Sequence, residues 1–341
     1  MPLRTRVFAA GVFATALLAV AACGGPGPGG ASSTELTFAY EGPLGTGHEL
    51  AADIFEEALD DVSDGAFELQ MFPAAQLGGE PALLESVRSG DIDFVLSSTA
   101  NAAAIAPESG VLSLHYLFDG QDDVISTVGS PEVNEAYQAM AEERVEGVRP
   151  LTLFTLDLRN MYSNFPVRSV QDVQGKAVRV QATATEDTIF SAYGAQPVHM
   201  AFPELYTALQ TGTVDAAENA VTYYGLNRHY EVAPVMSLTE HAGNVQVLWV
   251  SQRTWDGLTP EQQTAVTEAA MRVRSEQPKA AFELQQELLA EYRELGVQFV
   301  EDVDKESFRQ RSLPLQDQVA QDLGPHAVKI LEAVRAVTAN G

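Results

Sequence analysis

The sequence predicts an α/β protein made of two similar lobes, and three observations carry that reading. Short apolar strands alternate with amphipathic helices over most of residues 34–251. Two distant stretches, "VRSGDIDFVLS" (87–97) and "LQTGTVDAAEN" (209–219), repeat one order: helix end, glycine, Ile or Val, Asp, strand. From residue 259 onward the pattern turns to long helix.

The elements follow in order. "ELTFAYEG" (35–42) alternates as a strand and stops at glycine, and "HELAADIFEEALDDVSDG" (48–65) spaces its apolar residues as a helix closed by Gly65. "AFELQMFP" (66–73) is a second strand, "GGEPALLESVRSG" (78–90) a helix with Pro81 near its start, and "DIDFVLSS" (91–98) a third strand. Strands that alternate with helices pair in parallel and are covered on both faces. The plan then recurs. "RPLTLFTLDLRNMYSN" (149–164) contains a long strand, "SVQDVQGKAVRVQ" (169–181) turns into another, and "TEDTIFSAYGA" (185–195) is a helix closed by Gly194. "QPVHMAF" (196–202), "PELYTALQTG" (203–212) and "TVDAAENA" (213–220) give strand, helix and strand, with Pro203 opening the helix and Gly212 just past its end. After the apolar strand "NVQVLWVS" (244–251), residues 259–296 read as one helix: Thr259 caps it, Pro260 starts it, Gln262 completes a capping box, and Pro278 is expected to kink it. The tail, 304–337, is helical with a break at Gly324-Pro325.

Length and composition agree with this plan. The 341 residues, 45% hydrophobic, suffice for about two domains of roughly 150 residues. A formal charge of −27 with only 20 Lys+Arg excludes nucleic acid and docking on anionic lipid, since both need clustered cations. At the N-terminus, Arg4 and Arg6 precede an apolar run (7–22) that is short for a bilayer span and suits a signal peptide, residues 1–22. The run ends in "LAVAAC", which resembles a lipobox, and Cys23, the only cysteine, is expected to carry a lipid. "GGPGPGGASS" (24–33) has the composition of a flexible tether, so the folded body is expected from Thr34, held to a membrane by lipid. With no other cysteine, disulfides and thiolate metal sites are not available.

Enzymatic motifs are missing: there is no H-E-x-x-H, no Walker loop and no G-x-S-x-G, and the six histidines are scattered. No catalytic residue, metal or cofactor is expected. Instead, two arginines sit in strands. Arg159 ends "LTLFTLDLR", and Arg179 lies between Val178 and Val180, so alternation turns it away from the face those valines bury. Each reads equally as half of a guanidinium fork for a carboxylate or as the partner of a surface acid. Asn219 lies at the far end of its strand, where open α/β sheets bind ligands, and offers both donor and acceptor. Phe202, at another strand end, walls a cleft or simply packs in the core.

Together "QLGGE", "VRSGDIDF", "LRNMYSN", "QDVQGKAVRVQ", "GAQPVHMAFPELYTALQTGTVDAAEN" and "HYEVAPVMSLTEH" resemble the DctP family, the extracytoplasmic solute receptors of TRAP (tripartite ATP-independent periplasmic) transporters. The resemblance implies a two-lobed, periplasmic-binding-protein-like fold of type II character, with crossing hinge strands and a long helix spanning both lobes. Lobe I would comprise 34–156 and 245–284, and lobe II 157–244 and 285–341. It implies closure around a small organic acid, with Arg179 as main carboxylate partner, Arg159 as support, Asn219 as third polar contact and Phe202 lining the pocket. Glu80 falls where sialic-acid receptors of the family place an acid, whereas Ser98 stands where they carry a glutamate, a departure that speaks against sialic acid. "DAAENA" departs from the family phrase D-G-Q-E-N-P through Ala216 and Ala220. Tyr223 and Tyr224 suit stacking on a compact solute or sugar ring. Glu41 and His48 are either hydroxyl partners or solvent-exposed loop groups.

The function implied is capture of a carboxylate, a sugar acid such as a hexuronate foremost, and delivery to TRAP permease subunits for ion-driven uptake. The expected location is the outer face of the cytoplasmic membrane. A C4-dicarboxylate receptor, a receptor of an ABC importer, a ligand-presenting sensor and an exported enzyme acting on sugar acids are the alternatives.

Overall fold

The computed structural model describes residues 33–339; the signal segment, Cys23 and nearly all of the tether lie outside the described residues. Nine strands form one sheet: β1 (Thr34–Ala39), β2 (Phe67–Phe72), β3 (Phe94–Ser98), β4 (Val148–Ser163), β5 (Ala177–Val180), β6 (Gln196–His199), β7 (Ala216–Asn219), β8 (Val235–Ser251) and β9 (Gln298–Val300). Helices α1 (Gly47–Ser63) and α2 (Glu80–Ser89) join the first three strands, as the alternating pattern requires. Next come α3 (Thr99–Ala102), α4 (Gln121–Gly129) and α5 (Pro131–Arg144), then α6 (Ala184–Tyr193), α7 (Leu205–Thr211), α8 (Val221–Leu226) and α9 (Gln252–Gly257). The chain closes with α10 (Pro260–Glu294), α11 (Lys305–Ser312), α12 (Gln316–Leu323) and α13 (Pro325–Thr338).

The sheet order is β2-β1-β3-β8-β4-β7-β5-β6, with β9 on the other half of β8. Its two ends are parallel trios, β2-β1-β3 and β7-β5-β6, and the long antiparallel pair β4 and β8 runs between them. The second half of β8 pairs with β3, and the second half of β4 pairs with β7, so each long strand serves both halves. Register shifts between Thr155 and Leu158 and between Arg159 and Met161 bend the pair in its middle, where bulges re-aim side chains.

The repeated motif has a physical reason. Gly90 and Gly212 close α2 and α7 at φ 81° and 71°, a left-handed conformation that costs glycine little. Asp93 then accepts the Thr37 backbone N–H of β1 at 2.7 Å, and Asp215 accepts the Ala177 N–H of β5 at 2.9 Å. Each aspartate thus pins the segment after the glycine to the parallel neighbour, within β1 in one half and at the start of β5 in the other.

Two cores flank the sheet, one around Trp249, Tyr137 and Phe190, the other around Phe38, Phe55 and Tyr292. The capping box on α10 forms as the sequence predicts, Thr259 accepting from the Gln262 N–H and Gln262 from the Thr259 N–H. The helix continues through Pro278 for 35 residues in all. Next to that proline, Gln277 donates to the carbonyls of Gly47 (3.0 Å) and Thr155 (2.8 Å), tying α10 to α1 and to the bend in β4. The helices over residues 99–144 form a block that the sequence reading left unassigned, although Ser130-Pro131 is a recognisable helix start whose serine accepts the Val133 N–H.

Candidate functional site

The carboxyl ends of the parallel strands meet the bent middle of β4 and β8, and a narrow polar cavity opens there. Glu41 follows β1, Glu80 begins α2, Ser98 ends β3 and Asn101 lies in α3. The long strands contribute Leu156, Arg159, Asn244 and Gln246. From the other half come Arg179 and Gln181 at the end of β5, Phe202 after β6, Asn219 at the end of β7 and Tyr223 in α8. Of the ten candidate contacts read from the sequence, all but His48 and Tyr224 therefore line one cavity. His48 stands just behind it, accepting from Tyr223 Oη at 2.7 Å through Nδ1 and meeting Gln246 Oε1 at 2.9 Å through Nε2. Burial lowers its pKa, so the ring is neutral, with Nε2 as the donor. Tyr224 points elsewhere, donating to the Ala233 carbonyl.

Arg159 and Arg179 are the two buried arginines among the described residues, 4% and 3% exposed, and they are not equivalent. Arg159 donates through Nε and Nη2 to the carboxylate of Glu218 and through Nη1 to Asn244 Oδ1 at 3.0 Å. Burial would push the Glu218 carboxyl up, but the Arg159 charge, with the nearby His241, holds it well below the usual carboxylate range. Arg179 has no ion pair among the described residues. Its Nε and Nη2 share the Met200 carbonyl at 3.2 and 3.0 Å, and its guanidinium lies 5.7 Å from the Phe202 ring centroid. Nη1 remains without a partner among the described residues.

Amides dominate the remaining wall. Gln246 Nε2 donates to Asn244 Oδ1 (2.7 Å), and Asn244 Nδ2 donates to Asn219 Oδ1 (3.2 Å). Ala220 stands where the family phrase has proline, and its N–H, which proline would lack, donates to Asn219 Oδ1 at 2.8 Å. Both contacts fix the oxygen inward, which leaves Asn219 Nδ2 as an unused donor among the described residues. Gln181 Nε2 reaches Ser98 Oγ at 2.8 Å and so bridges the two halves across the cavity.

The sequence reading passed over Asn101, Gln181, Asn244, Gln246 and the Arg159 partner Glu218. A signal for two of them existed: in "NVQVLWVS" Asn244 and Gln246 stand at alternate positions just before the apolar run Val247–Val250, so they share one face of the strand.

Behind Arg179, His229 packs on Phe202 with ring centroids 5.4 Å apart and pairs with Tyr162 Oη at 3.0 Å. Burial first, and the Arg179 charge second, push its pKa from 6.5 down to about 4. The unfolded chain then binds the proton near pH 6.5 and the folded chain only near 4, so the ring's contribution to stability is present above 6.5 and is lost as pH falls to 4. The difference in unfolding free energy between the wild type and His229→Gln is expected to be flat above pH 7. It should move by ~2 kcal/mol in favour of the variant by pH 5, measured by urea unfolding at each pH.

Among the described residues no group of three or more His, Cys, Asp or Glu is placed to hold a metal, and no helix is long and apolar enough to cross a membrane. Two halves of one bent sheet around a polar cavity, with a buried arginine that has no ion pair among the described residues, have the form of a solute receptor. The model of the DctP family, bacterial extracellular solute-binding protein family 7, matches residues 38–322, and the chain belongs to that family. It is 29% identical over 308 residues to the 2,3-diketo-L-gulonate-binding periplasmic protein YiaO of Escherichia coli K12, covering 90% of this chain and 93% of that protein. It is similar to the crystal structure of a TRAP periplasmic solute-binding protein from Chromohalobacter salexigens with bound D-glucuronate (28% identity, TM-score 0.80, 90% of this chain and 100% of that one). A comparable protein from Xanthobacter autotrophicus Py2 with bound β-D-galacturonate aligns with a TM-score of 0.81 at 26% identity, over 88% of this chain and 99% of that one. The mixed α/β, two-lobed architecture expected from the sequence is the one these proteins share.

Proposed function

We propose that the protein captures a sugar acid with a single carboxylate, a hexuronate or aldonate, and hands it to TRAP permease subunits. The observation that carries this reading is Arg179: a guanidinium buried without an acid is costly, and an incoming carboxylate relieves that cost with two parallel hydrogen bonds. Asn219 Nδ2 supplies the third donor, Arg159 supports from behind through its charge, and Phe202 and Tyr223 form the apolar walls. The amides of Asn101, Gln181, Asn244 and Gln246 suit hydroxyl groups, since each carries both donor and acceptor. The cavity is narrow and its walls stand close together, which favours a compact solute.

A C4-dicarboxylate would need a second cation, and Glu218 already occupies the fork of Arg159. The similar proteins whose names specify diketogulonate, glucuronate and galacturonate point the same way. Residues 34–156 with 245–284 and 157–244 with 285–341 act as the lobes that open and close, because β4 and β8 cross near those boundaries. Cys23 anchors the receptor through lipid at the outer face of the cytoplasmic membrane, on the strength of the lipobox-like "LAVAAC". The ligand leaves chemically unchanged, as suits a solute-binding protein of this family.

The test is a thermal-shift panel on the mature chain. D-Glucuronate, D-galacturonate and D-galactonate at ~100 times their dissociation constants are expected to add about 2.7 kcal/mol of stability, and succinate and L-malate much less. A larger shift with the dicarboxylates would replace this reading with the C4-dicarboxylate one.

A further inference from the structure

Two carboxyl groups share one wall of the cavity, and the sugar-acid reading, on which this inference rests, does not yet use them. Glu41 and Glu80 are 7% and 4% exposed, and the Glu80 backbone N–H donates to Glu41 Oε2 at 3.0 Å. Their surroundings differ. Glu80 Oε2 accepts from Ser98 N at 2.8 Å, Ser98 Oγ at 2.7 Å and Asn101 Nδ2 at 2.8 Å. Glu41 has that one backbone donor and no ion pair among the described residues.

Two neighbouring buried carboxyl groups do not both ionise cheaply, and hydrogen bonds to the charged form decide which one keeps the charge. Glu80, with three donors, is the carboxylate, and the proton belongs on Glu41. The other ionisable groups around Glu41 are Arg179 from β5, Tyr223 from α8, and His48 from α1, whose ring is neutral. None of them is positioned as a hydrogen-bonded cationic partner of Glu41.

We propose that Glu41 meets the ligand as a neutral carboxylic acid, donating its O–H to the bound sugar acid, so that the receptor binds its ligand together with a retained proton. In charge terms, two buried arginines stand against the Glu218 and Glu80 carboxylates, so the site is neutral without Glu41, and the ligand brings one negative charge. An ionised Glu41 would make two. Burial and the Glu80 charge, opposed by the Glu80 N–H and Arg179, push the Glu41 pKa up to about 8. Affinity is then level below pH 8 and falls about tenfold per pH unit above it, with a proton taken up on binding in that upper range.

Two measurements on the mature chain decide this. In the first, carboxyl carbons of the ligand-free protein, labelled at glutamate with ¹³C, are followed by NMR from pH 4 to 10. A resonance that stays protonated through pH 7, titrates near 8 and is missing from Glu41→Gln is the expected result. The same resonance is expected to titrate at lower pH in Glu80→Gln, which assigns it even where the first variant does not fold. A Glu41 carboxyl already ionised at pH 6 overturns the proposal, whatever ligand binds. In the second, D-glucuronate is titrated calorimetrically from pH 6 to 10 in buffers of different ionisation heat. Affinity that falls above pH 8, with proton uptake that Glu41→Gln abolishes, is expected; a pH-independent wild-type affinity overturns it. Should no sugar acid bind, the sugar-acid reading fails while the NMR titration still decides the state of Glu41.

Discussion

Arg179→Met is expected to cut sugar-acid affinity by roughly 30-fold to several thousandfold, a loss on the order of 2–5 kcal/mol, while leaving the empty protein at least as stable as the wild type. The two halves of this expectation have one cause. In the empty protein the guanidinium is 3% exposed and, among the described residues, has only the Met200 carbonyl as hydrogen-bond partner, so its desolvation is poorly compensated. Methionine fills similar space beside Phe202 without a charge to desolvate. In the complex the sign reverses, because the ligand carboxylate is then the group left without a partner. Met200 is only half-buried, so water can serve its carbonyl once the arginine is gone. Calorimetric titration with D-glucuronate and urea unfolding of the empty protein check both halves. A variant that binds normally would remove Arg179 from the site. A variant that loses stability and affinity together would show that its contact with Met200 holds the strand end in place.

The two arginines also mark how far the sequence could be read. Strand alternation and the scarcity of basic residues single out both, and the structure brings both to the cavity. Their different states were hidden, because the Arg159 partner lies 59 residues away on β7 and meets it only through the β4–β7 register, Asn160 opposite Asn219 and Met161 opposite Glu218. Glu218 precedes the residue chosen as ligand contact and drew no notice, since a carboxylate in so acidic a chain looks ordinary until its burial is known. Ser98 shows the converse. Its side chain organises Glu80, Asn101 and Gln181, a role that needs three elements from two halves of the chain and has no local signature. The repeated Gly-x-x-Asp pattern was legible because its contacts are near in topology: helix end, turn and the neighbouring parallel strand.

Glu218→Ala is expected to destabilise the protein by about 3–5 kcal/mol, because it strands the Arg159 guanidinium in a site from which water is excluded. The carboxylate does more than balance charge. It takes two donors of the guanidinium, lies 3.4 Å from His241 Nε2, and sits on β7 where that strand joins the bend of β4. Since Glu218 titrates lower in the folded than in the unfolded chain, the stability it gives is complete above its unfolded pKa and is lost as pH falls through the folded value. The penalty of the variant is therefore expected to be largest near neutral pH and to shrink in acid. Replacing both partners, in Arg159→Met with Glu218→Met, should recover most of the loss, as buried pairs exchanged for apolar residues of similar volume commonly do. Urea unfolding of the two single variants and the double variant closes the cycle and gives the coupling directly. A single variant within ~1 kcal/mol of the wild type would show that water reaches Arg159 at the bend of β4, and the pair would then no longer explain why this cavity has one cation to offer and not two.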